Sequence, residues 1–266
     1  ILGGFPYIFY QSKKMKRMHI FILIIVLILY VYFEVNFFKI NEVLIENSKI
    51  KEEVRIIQIS DLHNKKIESN FFNKIKEQNP DFIVLTGDLI DRRTNDYSYA
   101  YYFIEELVKI NVPVYYILGN HEFSHKDVNV FEKEIIKRGA INLNEESINF
   151  KNINIYGFGY YSELKDVEIS KDLFSLVLIH NPMEAIENNI NTDLILSGHT
   201  HGGQVRLPFI GPIFIPGQGF LAKYDKGLFD INSNTKLYID SGLGNTFLPV
   251  RFLNRSQVSL IKIYSK

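Results

Sequence analysis

The feature that most limits how this chain can fold is an uninterrupted apolar run, IFILIIVLILYVYF, at residues 20–33. A helix on the surface of a globular domain buries one stripe and wets the rest, so its sequence mixes apolar and polar positions. This run has no polar face. With Met18, His19 and residues 35–38 it approaches the ~20 residues that cross a hydrocarbon core. It is therefore expected to be a transmembrane segment over 18–38. A cleaved signal peptide would need small residues after the run, and the next thirty positions hold neither alanine nor glycine. A buried core helix would have to stay apolar all round. The basic stretch KKMKR, residues 13–17, precedes the run. Positive charge stays on the cytoplasmic side, so residues 1–17 are expected inside and the rest outside, in a single pass through the cell membrane. Residues 39–53, polar and charged from Glu42 onward, read as a stalk. That leaves 54–266 for the globular domain.

Within that part, short runs rich in β-branched and aromatic residues alternate with helical patterns. VRIIQIS (54–60), DFIVLTG (81–87), VPVYYILG (112–119), INIYGFG (153–159), SLVLIH (175–180), TDLILSG (192–198), KLYID (236–240) and QVSLIKIY (257–264) suit strands. The near-continuous apolar character of most of them suits strands covered on both faces. Residues 68–78, 96–110, 128–140 and 182–190 space their apolar side chains as helices do. Alternating strands and helices predict an α/β layered fold.

Ligands in such folds sit beyond the carboxyl ends of the strands, and metal-capable residues recur there. Asp61 and His63 follow the first strand, Asp88 the second, Asn120 and His121 the third, His180 a later one, and His199 and His201 another. Five of the seven histidines occupy such positions; His19 and His125 do not. A single Asp or His after a strand is an ordinary turn former, but five strand ends carrying such groups together point to a site. With no cysteine in the chain, thiolate metal sites and cysteine nucleophiles are excluded. Any ion would be held by His, Asp and Asn. Lys+Arg and Asp+Glu balance at 30 each, which gives no support for a nucleic-acid partner.

In order along the chain, SDLH (60–63), GDLID (87–91), GNHE (119–122), LIHNP (178–182) and GHTHGG (198–203) resemble the signature of the calcineurin-like metallophosphoesterases. The resemblance spans 54 to about 264. GHTHGGQVRLP (198–208), KYDKGLF (223–229) and SGLGNTFLPVRF (241–252) are similar to its membrane-associated bacterial branch, which includes cell-wall or phospholipid phosphodiesterases and a UDP-diacylglucosamine hydrolase. It implies a layered sandwich of two mixed β-sheets flanked by helices, and two divalent metal ions: manganese, iron, zinc or magnesium. Carried over by position, one ion is held by Asp61, His63, Asp88 and His201, the other by Asp88, Asn120, His180 and His199. A metal-bridging hydroxide attacks phosphorus, and His121 protonates the leaving oxygen or steadies developing charge. The expected substrate is a phosphodiester or pyrophosphate on a cell-envelope or lipid-linked molecule.

Some residues stay open at this stage. Asp91 and Arg92 reach the site or, on the plainer reading, cap the next helix or face solvent. Arg206 and Arg251 grip substrate phosphate or form surface salt bridges. The aromatic stretch 97–103 contacts lipid or sugar, or is core. A non-catalytic binding module would be expected to lack ligands, whereas a nuclease would keep the chemistry and change the substrate.

Overall fold

Each apolar run downstream of residue 54 becomes a strand, and the reason lies in which neighbours cover it. The computed structural model describes residues 5–164, 170, 172–215, 217–246 and 249–265. The chain runs α1 (Phe5–Asn36), β1 (Lys39–Glu46), β2 (Val54–Ile59), α2 (Asn70–Lys76), β3 (Phe82–Leu85), α3 (Ser98–Val108), β4 (Val114–Tyr116), α4 (Asn120–Phe123), α5 (Val128–Lys137), β5 (Ile141–Asn142), β6 (Glu146–Phe150), β7 (Ile153–Phe158), β8 (Phe174–Ile179), α6 (Pro182–Glu187), β9 (Leu194–Ser197), β10 (Arg206–Leu207), β11 (Gly211–Pro212), β12 (Phe214–Ile215), β13 (Gly219–Phe220), β14 (Gly227–Asp230), β15 (Lys236–Ile239) and β16 (Gln257–Tyr264).

Two six-stranded mixed sheets result, ordered β1-β16-β2-β3-β4-β5 and β14-β15-β9-β8-β7-β6. Successive residues of one strand feed different apolar layers. Ile57 and Ile59 of β2 pack with Phe71, Phe103 and Leu107 of the helices. Ile56 packs instead between the sheets, against Leu176, Leu178 and Leu194. Val177 and Ile179 of β8 turn outward to Ala185 of α6 and Ile239. Three layers therefore hold the sandwich together, which is why these strands read as continuous apolar runs.

The polar segment 39–53 is not simply a stalk. β1 pairs in parallel with β16 along its whole length, from Lys39 beside Gln257 to Glu46 beside Tyr264. Val43 and Ile45 are buried while Glu42, Leu44 and Glu46 face solvent. Charge on one face of a sheet-edge strand hides a period of two in a sequence read for overall polarity.

That pairing has a topological result. β16 runs antiparallel to β2, so the start of β1, one strand further out, lies at the same end of the sheet as the end of β2, the end that carries Asp61. Helix α1 joins β1 through only Phe37 and Phe38. Its last turn is built into the domain. Glu34 Oε2 accepts the Asn254 N–H at 2.7 Å, and the Glu34 carbonyl accepts the Ser256 N–H at 2.9 Å. The Lys65 ammonium donates to the Val35 and Leu243 carbonyls. The Arg255 guanidinium lies 4.3 Å from the Phe33 ring. Residues 15–29 are exposed, and Met15–Asn36 is long and apolar enough to cross a membrane.

Candidate metal centre

The strands of both sheets deliver their polar C-terminal residues to one edge. β2, β3 and β4 run parallel, as do β7, β8, β9 and β15, so the residues after β2, β3, β4, β8 and β9 meet across the two sheets. The turns are tight. Asp61, His63, Asp88, His199 and His201 all have left-handed backbone, with φ between +48° and +71°. Such a conformation costs a non-glycine residue about 1–2 kcal/mol, and strain of this kind gathers at functional sites. Gly198 is required for another reason: a Cβ there would overlap Ser60 Oγ and come within 2.6 Å of Asp61 Oδ2.

All seven expected ligands come together, in two groups. In the first, His63 Nε2 lies 3.1 Å from His201 Nε2, and Asp61 Oδ1 lies 3.4 Å from His201 Nε2. In the second, His180 Nε2 lies 3.0 Å from Asn120 Oδ1 and 3.2 Å from both His199 Nδ1 and Asp88 Oδ2. Asp88 Oδ2 is also 3.7 Å from His63 Nε2, so it faces both groups. Its other oxygen, Oδ1, is pinned by the His121 N–H at 2.9 Å. Asp61 is fixed likewise, by the Ser60 hydroxyl at 2.6 Å and the His199 N–H at 3.1 Å.

The donor chemistry suits divalent cations. The Thr86 carbonyl can only accept, so His180 Nδ1, 2.8 Å away, carries a proton and Nε2 is the atom turned to the site. Two buried carboxylates, Asp61 and Asp88, stand there, and among the described residues no lysine or arginine pairs with either. Burial pushes the Asp61 carboxyl up to about 7. Burial also opposes charge on Asp88, but His180 and His63 outweigh it and hold the carboxyl below its ordinary range. His180 goes the other way: burial resists the imidazolium, yet Asp88 raises it to about 10. Burial presses His63 down to about 4 and His199 to about 3, and keeps His201 well below its usual value. The result is three neutral imidazoles, His63, His199 and His201, beside a His180 imidazolium paired with Asp88 and a second buried carboxylate, Asp61; a cation that displaced the His180 proton would find convergent lone pairs.

His121 stands beside these groups, its ring 4.6 Å from that of His63. Its Nδ1 faces Asp91 Oδ2 at 3.2 Å and the Arg92 N–H at 3.2 Å. Asp91 therefore reaches the site, against the plainer reading of it as a cap. Arg92 contributes its backbone, and the residue is exposed. The two other arginines take up scaffold roles. Arg206 pairs with Asp225 at 2.6 Å and donates to the Gly202 carbonyl. Arg251 is fully buried and donates to the carbonyls of Ser241, Gly242, Gly244 and Asn254. In the 97–103 stretch, Ala100 and Phe103 are core. His125 is buried against Thr94, Tyr97 and Asp127, away from the site.

Two contributors were missed in the sequence. The Glu122 carboxylate is buried and accepts the N–H groups of Asp88 and Gly119 on Oε2 and of Ile90 on Oε1. It ties the turns after β3 and β4 together; GNHE contains it, but only the two preceding residues draw attention, Asn120 as a ligand and His121 as a proton donor. Tyr160 lies with its ring near those of His180 and His199, and Tyr161 and Phe123 extend the aromatic wall. Burial and Tyr161 push the Tyr160 hydroxyl up to about 12, so it keeps its proton.

Strand ends that converge on clustered His and Asp define a metal-dependent hydrolase. Residues 54–203 match the calcineurin-like phosphoesterase family, and the chain belongs to it: it is a phosphoesterase that uses divalent metal ions. It is 31% identical over 261 residues to the Bacillus subtilis metallophosphoesterase YkuE, covering 88% of each chain. It is 30% identical to the Campylobacter jejuni metallophosphoesterase Cj0846, covering 86% of this chain and 64% of that one. Among solved structures, a dimetal phosphatase from Danio rerio aligns at 12% identity with a TM-score of 0.43, over 71% of this chain and 87% of its own.

Proposed function

We propose that this is a membrane-anchored enzyme with two divalent ions, one held by Asp61, His63, Asp88 and His201 and the other by Asp88, Asn120, His180 and His199. Its substrate is a phosphodiester or pyrophosphate on a lipid-linked or cell-envelope molecule. The metal identity is set by availability as much as by the ligands, since His, Asp and Asn accept several divalent ions. Bound ions of this kind acidify water and neutralise charge on the phosphoryl oxygens. The chain's own residues do the rest. Asp88, held by the His121 N–H, presents one oxygen to both groups. Asp91 steadies the His121 ring, leaving Nε2 to deliver a proton to the departing oxygen. The aromatic wall at Tyr160 borders the substrate's space on the His180 and His199 side.

The observation that supports a membrane-borne substrate is the place of Asn254. Its N–H donates to Glu34 at the end of α1, and its side-chain amide donates to the His201 carbonyl at 2.6 Å. One residue thus links the apolar helix to a metal-site turn. The KKMKR cluster ahead of the helix favours an outward-facing domain. The test is a substrate comparison with the full chain in proteoliposomes. Metal-dependent hydrolysis of bis-p-nitrophenyl phosphate should vanish in Asp88→Ala. A lipid-linked pyrophosphate in the same vesicle should be cleaved faster than its short-chain soluble analogue. Preference for the soluble analogue would refute the membrane-borne substrate.

A further inference from the structure

Singly exposed apolar side chains are ordinary on a protein surface, whereas a cluster of them marks an interaction site. Phe209, Ile210, Phe214, Phe220, Leu221 and Leu253 form such a cluster on and beside the hairpins β10–β11 and β12–β13. Phe209 and Phe220 are 109% and 76% exposed. The Phe214 and Phe220 rings pack 5.3 Å apart. Leu253, Phe209 and Ile210 line one open cleft of about 470 Å³ together with the exposed Lys223.

The position of this cluster identifies its occupant. The first hairpin hangs from Val205, which bridges to Phe252, and the Arg206 N–H donates to the Phe252 carbonyl at 3.0 Å. The Phe252 ring packs edge-on against Tyr30 of α1 at 5.4 Å, and the Leu253 N–H donates to the Tyr30 hydroxyl at 3.3 Å. Phe252 and Leu253 therefore join the first hairpin to the apolar helix α1. Lys223, and Arg255 against Phe33, put cations at the rim, where anionic headgroups attract them.

We propose that the β10–β13 hairpins dock on the lipid bilayer that α1 enters, with Phe209 and Phe220 set into its interface. Interfacial segments bury aromatic side chains about 5–10 Å into the headgroup and acyl boundary. The docking holds the metal-site edge against the membrane. This inference rests on the reading of α1 as a membrane span, and the test separates the two.

The chain contains no tryptophan, so one introduced residue reports alone. Full-length F209W, S233W and L27W are reconstituted in vesicles of phosphatidylethanolamine and phosphatidylglycerol containing acyl-brominated phosphatidylcholine. Ser233 is exposed in the β14–β15 turn, at the edge away from the metal site; Leu27 is exposed on α1. Docking predicts that F209W and L27W shift to the blue and lose most of their emission, while S233W keeps its own. Quenching of L27W with none at F209W overturns the docking and leaves the anchor standing. Quenching of neither overturns both. Shielding of F209W from aqueous iodide without bromolipid quenching means that a second copy of the chain covers the patch, and overturns the bilayer as its occupant.

Discussion

Replacing Arg251 separates two roles that its sequence position leaves open. The guanidinium is buried, and its Nη2 donates to the carbonyls of Ser241, Gly242 and Gly244 at 2.8, 3.1 and 2.7 Å. Nη1 reaches the Asn254 carbonyl at 3.2 Å, and Nε reaches Asn245 Oδ1 at 3.1 Å. Burial lowers its pKa to about 10, so it stays charged at neutral pH. In Arg251→Met the cost of burying a charge disappears, which taken alone would favour the variant. Against this, the carbonyls lose their donor. Gly242 keeps the Gln257 N–H at 3.0 Å, leaving those of Ser241, Gly244 and Asn254. At about 1–3 kcal/mol for each buried group left unpaired, the orphaned carbonyls win, and a net loss of about 4 kcal/mol is expected. That corresponds to a melting temperature lower by about 8–16 °C. Arg251→Lys, with a point charge in place of a fork, should fall between. Metal affinity should drop as well, because the Leu243 and Gly244 N–H groups hold the Ser60 and Asp61 carbonyls. Thermal melts and metal titrations of the detergent-purified chain measure both. Arg251→Met melting within a degree or two of the parent, with a raised KM as the only defect, would refute the scaffold argument and restore a phosphate-binding arginine.

Three further outcomes are expected. His121→Ala should lower kcat by about 10²–10⁴-fold with metal content unchanged. The loss should shrink for a p-nitrophenolate leaving group, which needs no proton; equal losses on both substrates would count against proton delivery. The folded pKa of His180, about 10, lies above its ordinary 6.5. Without metal, the stability this gives is therefore full below 6.5 and lost as pH rises toward 10. An ion entering that group must displace the Nε2 proton, so its affinity should rise about tenfold per pH unit between pH 7 and 9; a flat titration would contradict the pairing with Asp88. Gly198→Ala should cost about 1–3 kcal/mol from overpacking against Ser60 and weaken metal binding at the Asp61 group. Wild-type melting and stoichiometry in that variant would show that the turn relaxes freely.

Strand runs and the convergence of strand-end His, Asp and Asn groups were legible because burial on both faces and placement at one edge leave direct marks on residue type. The runs at 54–60 and 175–180 needed no tertiary knowledge. β1 was hidden because only Val43 and Ile45 are fully buried apolar positions, while Lys39, Glu42 and Glu46 give the segment a charged look. Asp91 and Glu122 were hard for another reason. Each acts through a partner that the sequence places about thirty residues away, His121 for one and the Asp88 and Ile90 amides for the other. The arginines were ambiguous because a fork of donors fits backbone carbonyls as well as it fits phosphate. The hairpins at 206–220 carry no long pattern, as two-residue strands cannot.

The two-residue joint between α1 and β1 sets the working height of the enzyme. A long flexible leash would let a catalytic head sweep the surrounding fluid and meet soluble molecules at their bulk concentration. Phe37 and Phe38 allow no such excursion, because Glu34 and Val35 on one side and Lys39 on the other are already bonded into the domain. With the helix in a bilayer, the catalytic edge can work only a thin slab of space next to the lipid. For the membrane-borne substrate proposed above, turnover would then follow lateral traffic within the membrane, and two-dimensional density in that sheet, not concentration in solution, would set the rate.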